Sequence, residues 1–127
     1  MAFVLLSTKA FSYSVPKEIQ MLWIKTSTPY YSTCMCETGV DQTKAINLLG
    51  KLELPEDPCV KCFGKCLMVR VGIMSSDGTI IPKAWAEIAG VPLQISQKCY
   101  NDTSTFLDSC EKAYAFGKCM FALLPPT

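Results

Sequence analysis

Apolar side chains recur at helical spacing through most of the chain, and the clearest case lies in residues 59–74, CVKCFGKCLMVRVGIM. Phe63, Leu67, Val71 and Met74 follow one another there at intervals of four, four and three residues. Such a repeat places side chains on one face of an α-helix. The stretch is therefore predicted to be a central helix with one face turned to an apolar interior.

The same stretch carries a helix start signal and a second face made of cysteines. Asp57-Pro58 supplies a side-chain oxygen at the cap position and a proline for the first turn, and Gly72 lies near the predicted end. Cys59, Cys62 and Cys66 are spaced three and four residues apart, so they lie on one side of the helix. We expect disulfide bonds to attach other segments to that side.

Other short apolar repeats are separated by proline, glycine and small polar residues. Very little of the chain alternates with a period of two, so the sequence predicts an all-α fold of about six short helices. Residues 101–104 are predicted to be a polar linker, and residues 120–124 an apolar tail. The predicted helices cover residues 15–25, 30–37, 41–49, 59–74, 82–89, 92–99 and 105–119.

Length and charge narrow the class of protein. The 127 residues suffice for one domain, predicted to span residues 15–127. Residues 1–14 are expected to be a signal-peptide remnant or a disordered arm. A net charge of +1 provides no general attraction to nucleic acid, so no nucleic-acid partner is expected. The chain has no histidine, which excludes imidazole as base, shuttle or metal ligand.

Eight cysteines in a short chain are typical of a disulfide-linked protein from an oxidising compartment. Two other uses of cysteine are open at this point. Cys34, Cys36, Cys59 and Cys62 could form a four-thiolate zinc site in an interaction module. Cys59 and Cys62 also match the spacing of a redox dithiol, although the usual βαβ context is absent. No nucleophile–base pair is evident, so we expect neither an enzyme nor a cofactor.

The cysteine spacing resembles that of the insect odorant-binding and pheromone-binding protein family. Cys62-x3-Cys66 is followed by gaps of 32, ten and eight residues to Cys99, Cys110 and Cys119. Two short sequence segments support the resemblance. Residues 72–78, GIMSSDG, look like the family's glycine turn, and residues 110–114, CEKAY, look like part of its last helix. The resemblance runs from about residue 16 to residue 121. An alternative, the plant-type lipid-transfer protein, carries an adjacent Cys-Cys pair that this chain lacks.

The resemblance implies an interlocked disulfide pairing. Cys34 takes the family's first position because it precedes Glu37-Thr38-Gly39, with Cys36 the close competitor. The implied bridges are then Cys34–Cys66, Cys62–Cys110 and Cys99–Cys119. Cys36 and Cys59 are extra to the family pattern, and a fourth bridge between them is expected.

The resemblance also implies a function and a set of site residues. The expected protein is a secreted, extracellular carrier, a monomer or weak homodimer, that encloses a small hydrophobic molecule and delivers it to a membrane chemoreceptor. Apolar side chains at the matching pocket positions favour a hydrocarbon, ester or fatty acid derivative, with the hydroxyl of Tyr114 as polar anchor. The residues expected to contact ligand are Leu22, Trp23, Met68, Val71, Ile73, Ile80, Trp85, Ile88, Leu93, Tyr114, Phe121, Leu123 and Leu124.

Overall fold

The computed structural model describes residues 13–125, so most of the predicted N-terminal arm lies outside the described residues. Within that range the chain forms α-helices and no β-strand, which confirms the all-α prediction. The seven helices correspond to the seven predicted ranges, and there are six, as predicted, when α1 and α2 are counted as one kinked helix. The helices are α1 Lys17–Ser27, α2 Tyr31–Thr38, α3 Gln42–Gly50, α4 Pro58–Val71, α5 Pro82–Glu87, α6 Leu93–Thr103 and α7 Ser109–Leu123.

Helix α4 is the predicted central helix, and its ends follow from its sequence. At its start the side chain of Asp57 accepts a hydrogen bond of 2.8 Å from the backbone N–H of Cys59. At its end Gly72 adopts a left-handed conformation with φ of 94°, which glycine reaches without steric cost. The helix packs against α7 and α2, and Phe63 is fully buried with its ring edge-on to Tyr31.

Proline marks the junction between α1 and α2. The predicted break at residues 26–29 corresponds to a 3-10 turn over Thr28–Tyr30, with Pro29 inside it. The chain therefore changes direction without leaving helical conformation. Gly39, with φ of 69°, ends α2, and the side chain of Asp41 caps α3.

Three predicted boundaries near the C-terminus were wrong. Helix α6 continues through the predicted polar linker to Thr103, whose hydroxyl is buried and donates to the carbonyl of Cys99. Helix α7 begins only at Ser109, after the cap Asp108, so Leu107 is a fully exposed loop residue. The predicted apolar tail is mostly helix, because apolar contacts with the core extend α7 to Leu123.

Three disulfide bonds connect the helices with the pairing that the resemblance implied. Cys34–Cys66 joins α2 to α4, Cys62–Cys110 joins α4 to α7, and Cys99–Cys119 joins α6 to α7. Helix α4 therefore carries two of the three bridges. It is covalently attached to α2 and to α7.

The expected fourth bridge was wrong, since Cys36 and Cys59 are free thiols. Cys34 is buried and faces α4. Cys36 follows it by two residues, about 200° around the helix, and is exposed to solvent. One helix cannot direct both side chains to the same partner helix, so Cys36 does not reach Cys59.

Candidate functional site

An apolar cavity of about 80 Å³ lies between α1, α3, α4, α5 and α7. Helix α4 contributes six of the lining residues, more than any other helix. Aliphatic and aromatic side chains dominate the lining. The lining residues are Trp23, Thr26, Ser27, Leu48, Leu49, Leu54, Val60, Lys61, Gly64, Leu67, Met68, Val71, Ile73, Trp85, Ile88, Ala89, Ala113, Tyr114, Gly117, Met120 and Phe121.

Aromatic rings from three helices close one side of the cavity. The ring of Trp23 stacks on Phe121 at a centroid distance of 5.7 Å and meets Trp85 edge-on at 6.3 Å. Tyr13, near the start of the described residues, packs edge-on against Phe121 at 5.7 Å. Stacked and edge-on pairs of this kind are stabilised by the ring quadrupoles as well as by burial. These rings make the wall from elements far apart in the chain.

The two tryptophans differ in what their indole N–H groups do. Nε1 of Trp23 donates to the carbonyl oxygen of Ala89 at 2.9 Å, which attaches α1 to the end of α5. Nε1 of Trp85 is buried and has no hydrogen-bond partner in the part of the chain that the structure describes. One N–H is therefore part of the scaffold, and the other is unused.

Lys61 is the charged residue of the cavity wall, and two carboxylates surround its ammonium group. The ammonium group of Lys61 donates to Glu56 at 2.9 Å and to Glu111 at 2.9 and 3.1 Å. It also lies 4.7 Å from the ring centre of Tyr114. The hydrogen bond from Lys61 lowers the pKa of Glu56, and the hydrogen bonds to Glu56 and Glu111 raise the pKa of Lys61. The positive charge of Lys61 is thus neutralised locally by the two carboxylates.

Tyr114 already uses the hydroxyl that was expected to anchor a ligand. Its O–H donates to the carbonyl oxygen of Leu54 at 2.8 Å and lies 3.4 Å from Glu56. Burial is the main cause that raises the pKa of Tyr114, so the hydroxyl stays protonated at neutral pH. A ligand seeking a donor from Tyr114 would have to break the bond to Leu54.

The structure brings eight of the thirteen predicted ligand residues to the cavity wall. They come from α1, α4, the segment after α4, α5 and its end, and α7. Their contact with ligand remains a prediction. These residues are Trp23, Met68, Val71, Ile73, Trp85, Ile88, Tyr114 and Phe121.

The other five predicted residues do not line the cavity. Leu22, Leu93 and Leu123 are exposed at the surface. Leu22 directly precedes Trp23 in α1, and the step of about 100° between them leaves Trp23 buried at the cavity wall and Leu22 exposed to solvent. Ile80 and Leu124 are buried elsewhere in the core, and Ile80 forms an isolated antiparallel bridge with Met74, which follows α4.

Sequence reasoning missed thirteen lining residues. Leu48 and Leu49 lie on the apolar side of α3 and Leu67 lies in the apolar repeat of α4, so their pattern could have indicated them. The small residues had no such signal, because a glycine lines a cavity only where a neighbouring helix leaves space. The missed residues are Thr26, Ser27, Leu48, Leu49, Leu54, Val60, Lys61, Gly64, Leu67, Ala89, Ala113, Gly117 and Met120.

The disulfides overturn the zinc alternative. Two of its four proposed ligands, Cys34 and Cys62, are bonded to other cysteines. Among residues 13–125 no group of three or more cysteine, aspartate or glutamate side chains is placed to hold a metal ion. The redox dithiol is excluded on the same ground, since Cys62 is bonded to Cys110 and not to Cys59.

Comparison with known proteins identifies the family. The sequence model of the PBP/GOBP family matches residues 23–122, which is most of the chain. This chain belongs to the PBP/GOBP family. Its members are odorant-binding and pheromone-binding carriers of small hydrophobic ligands, not enzymes. The assignment also replaces the plant-type lipid-transfer alternative.

A solved structure shows the same fold. The odorant-binding protein dmelOBP28a from Drosophila melanogaster matches with a TM-score of 0.62 and 21% sequence identity, over 78% of this chain and 89% of that one. No curated protein matches the chain significantly. No helix within residues 13–125 has the length and apolarity needed to cross a bilayer.

Proposed function

We propose that this protein is a secreted carrier that binds a small apolar molecule in the cavity and transports it through aqueous lymph. The observation that carries the proposal is the apolar cavity at the centre of a disulfide-linked helical fold. An apolar void costs stability in proportion to its volume, so a fold that contains one needs stabilisation from elsewhere. The three bridges supply it by restricting the unfolded chain.

The cavity has to expand to hold a typical odorant. An apolar cavity of about 150 Å³ holds one benzene molecule, whereas this one measures about 80 Å³. Met68 and Met120 line it, and methionine side chains adapt readily because they are unbranched and flexible. We propose that ligand enters by displacing these side chains, and that a long hydrocarbon requires more displacement than a compact one.

A homologous series of ligands tests the proposal. Each additional buried methylene contributes about 0.8 kcal/mol, so affinity should rise about fourfold per methylene until the expanded cavity is full. Displacement of N-phenyl-1-naphthylamine by straight-chain ketones of increasing length measures this. Trp23 and Trp85 line the cavity, so quenching of tryptophan fluorescence provides an independent readout. Absence of probe binding, or affinity that does not depend on chain length, would refute cavity binding.

Delivery and assembly belong to the same proposal. A membrane chemoreceptor is the proposed recipient of the ligand, and a monomer or weak homodimer the proposed carrier. Sedimentation of the purified protein with and without ligand measures the assembly state. Expression in a secretory host, followed by mass analysis of the product, tests secretion and shows which part of residues 1–14 is retained.

A further inference from the structure

The buried N–H of Trp85 is a hydrogen-bond donor for which the fold provides no use. The residue is 6% exposed, and its Nε1 atom has no partner among residues 13–125. Buried polar groups in native proteins are almost always paired, because an unpaired donor has lost its water without compensation. An exception of this kind calls for an explanation in function.

Its position supplies the explanation. Trp85 lines the cavity, so the unpaired donor belongs to a residue of the wall that is otherwise almost wholly apolar. Ser96 carries the other buried, unpaired side-chain group in the described range, and Ser96 does not line the cavity. Two other donors at the wall are engaged, since Trp23 donates to Ala89 and Tyr114 donates to Leu54. The hydroxyl groups of Thr26 and Ser27 belong to wall residues as well, but only Trp85 has a fully buried donor without a partner among the described wall residues.

We propose that the indole N–H of Trp85 donates a hydrogen bond to an acceptor oxygen of the bound molecule. The inference rests on the proposed carrier function and names the ligand class: neutral compounds with a carbonyl, ester or ether oxygen, in preference to hydrocarbons. Nε1 is covered by packed atoms, so the oxygen reaches it as the wall moves to admit ligand. Carboxylates are disfavoured, because Lys61 is already paired with Glu56 and Glu111 and no free cation lines the wall of the described cavity.

A pair of ligands of equal size separates this contact from general burial. 2-Octanone and nonane have the same number of non-hydrogen atoms, and only the ketone has an acceptor. The measured quantity is the ratio of the two dissociation constants, nonane over 2-octanone, for each protein variant. Changes in cavity volume or in folding affect both ligands and largely cancel in the ratio.

Trp85→Phe removes the N–H and keeps an aromatic ring, and Trp23→Phe is the matched control. One neutral hydrogen bond corresponds to about a tenfold effect, so Trp85→Phe should lower the ratio about tenfold. Trp23→Phe should leave the ratio within about twofold, because that N–H belongs to the scaffold. An unchanged ratio in Trp85→Phe would overturn the proposal.

A measurement on the unaltered protein covers the case in which a variant fails to fold. The chain contains two tryptophans, so two indole N–H signals appear in a ¹⁵N-correlated NMR spectrum. The ketone should move one of them downfield and the alkane should not. If neither ligand nor probe binds, the carrier function itself fails. If both ligands bind and neither signal distinguishes them, only the assignment of Trp85 fails.

Discussion

Adding one methyl group at Gly64 or Gly117 should make the protein more stable and a poorer binder. Both glycines line the cavity, Gly64 from α4 and Gly117 from α7. A Cβ atom built on either one has no atom within 4 Å apart from its own helix and immediate neighbours. Alanine is therefore accommodated without displacing another residue, and its methyl extends into open space beside the cavity.

The magnitude follows from two terms. Replacing glycine by alanine in a helix interior gains about 0.5–1 kcal/mol, because the unfolded chain loses freedom. Burying the new methyl adds about 0.8 kcal/mol. Each variant should therefore gain about 1–2 kcal/mol in the free energy of unfolding. The ligand loses room for about one methylene, so each variant should bind about fourfold more weakly, and Gly64→Ala/Gly117→Ala about fifteenfold.

Urea unfolding followed by circular dichroism gives the stability change, and probe displacement gives the affinity change. Two other glycines serve as controls. At Gly50, the last residue of α3, an added Cβ also meets open space, and Gly50 does not line the cavity, so Gly50→Ala should not change the affinity. Gly78→Ala should destabilise, because φ is 91° and the added Cβ would lie 2.8 Å from that of Ser109.

Two outcomes would refute the reasoning about Gly64 and Gly117. Loss of both stability and affinity would show that the methyl meets atoms at these positions. Gain of stability with unchanged affinity would show that the methyl lies outside the space that ligand occupies.

Three further predictions concern the bridges, the thiols and acid. Replacing both cysteines of Cys62–Cys110, which are 48 residues apart, should lower the free energy of unfolding by about 4 kcal/mol. Replacing both cysteines of Cys99–Cys119, which are 20 residues apart, should lower it by about 3 kcal/mol. A larger loss for Cys99–Cys119 in urea unfolding would contradict the loop-closure account. Without reductant, Ellman's reagent should react quickly with Cys36 in the native protein, and it should detect two free thiols per chain after unfolding. Detection of no free thiol after unfolding would show that the fourth bridge exists. Lys61 lowers the pKa of Glu56 in the folded protein, so the stability that this ion pair contributes is present above pH 4.5 and is lost as the pH falls through the lowered pKa. Lys61→Met should therefore lose less stability on acidification than the unaltered protein. An unchanged dependence of the unfolding free energy on acid pH would exclude this pair as its source.

The central helix shows how far local pattern reaches. Its cap at Asp57 and the side that carries Cys62 and Cys66 follow from interactions within a few residues, and these were predicted correctly. The predicted end at Met74 was wrong, because Gly72 adopts the left-handed conformation and ends the helix after Val71. Pattern failed at residues 101–104 because a polar segment can remain helical when one of its residues is buried. Thr103 does so by donating to the carbonyl of Cys99, a bond that the polar composition does not indicate.

The candidate site was predicted where a residue's own helix determines its direction. Met68, Val71, Trp85 and Phe121 lie at the cavity as expected. Leu22 was placed on the wrong side of α1, since the family resemblance located the helix and not its rotation. The expected bridge of Cys36 failed for the same reason, because rotation about α2 decides which cysteine faces α4.

The sequence alone determined the helical class, the position of the central helix, the family resemblance and the three-bridge pairing that it implied, because periodicity, caps and cysteine spacing are local or fixed along the chain. Only the tertiary structure decided where the cavity lies, which residues have open space beside them and which polar groups of its wall lack a partner. A cavity is the space that several helices leave between them, so Gly64 and Gly117 gain their role from their neighbours. Whether an indole N–H is used or unused likewise depends on the one carbonyl that packing brings to Trp23 and does not bring to Trp85.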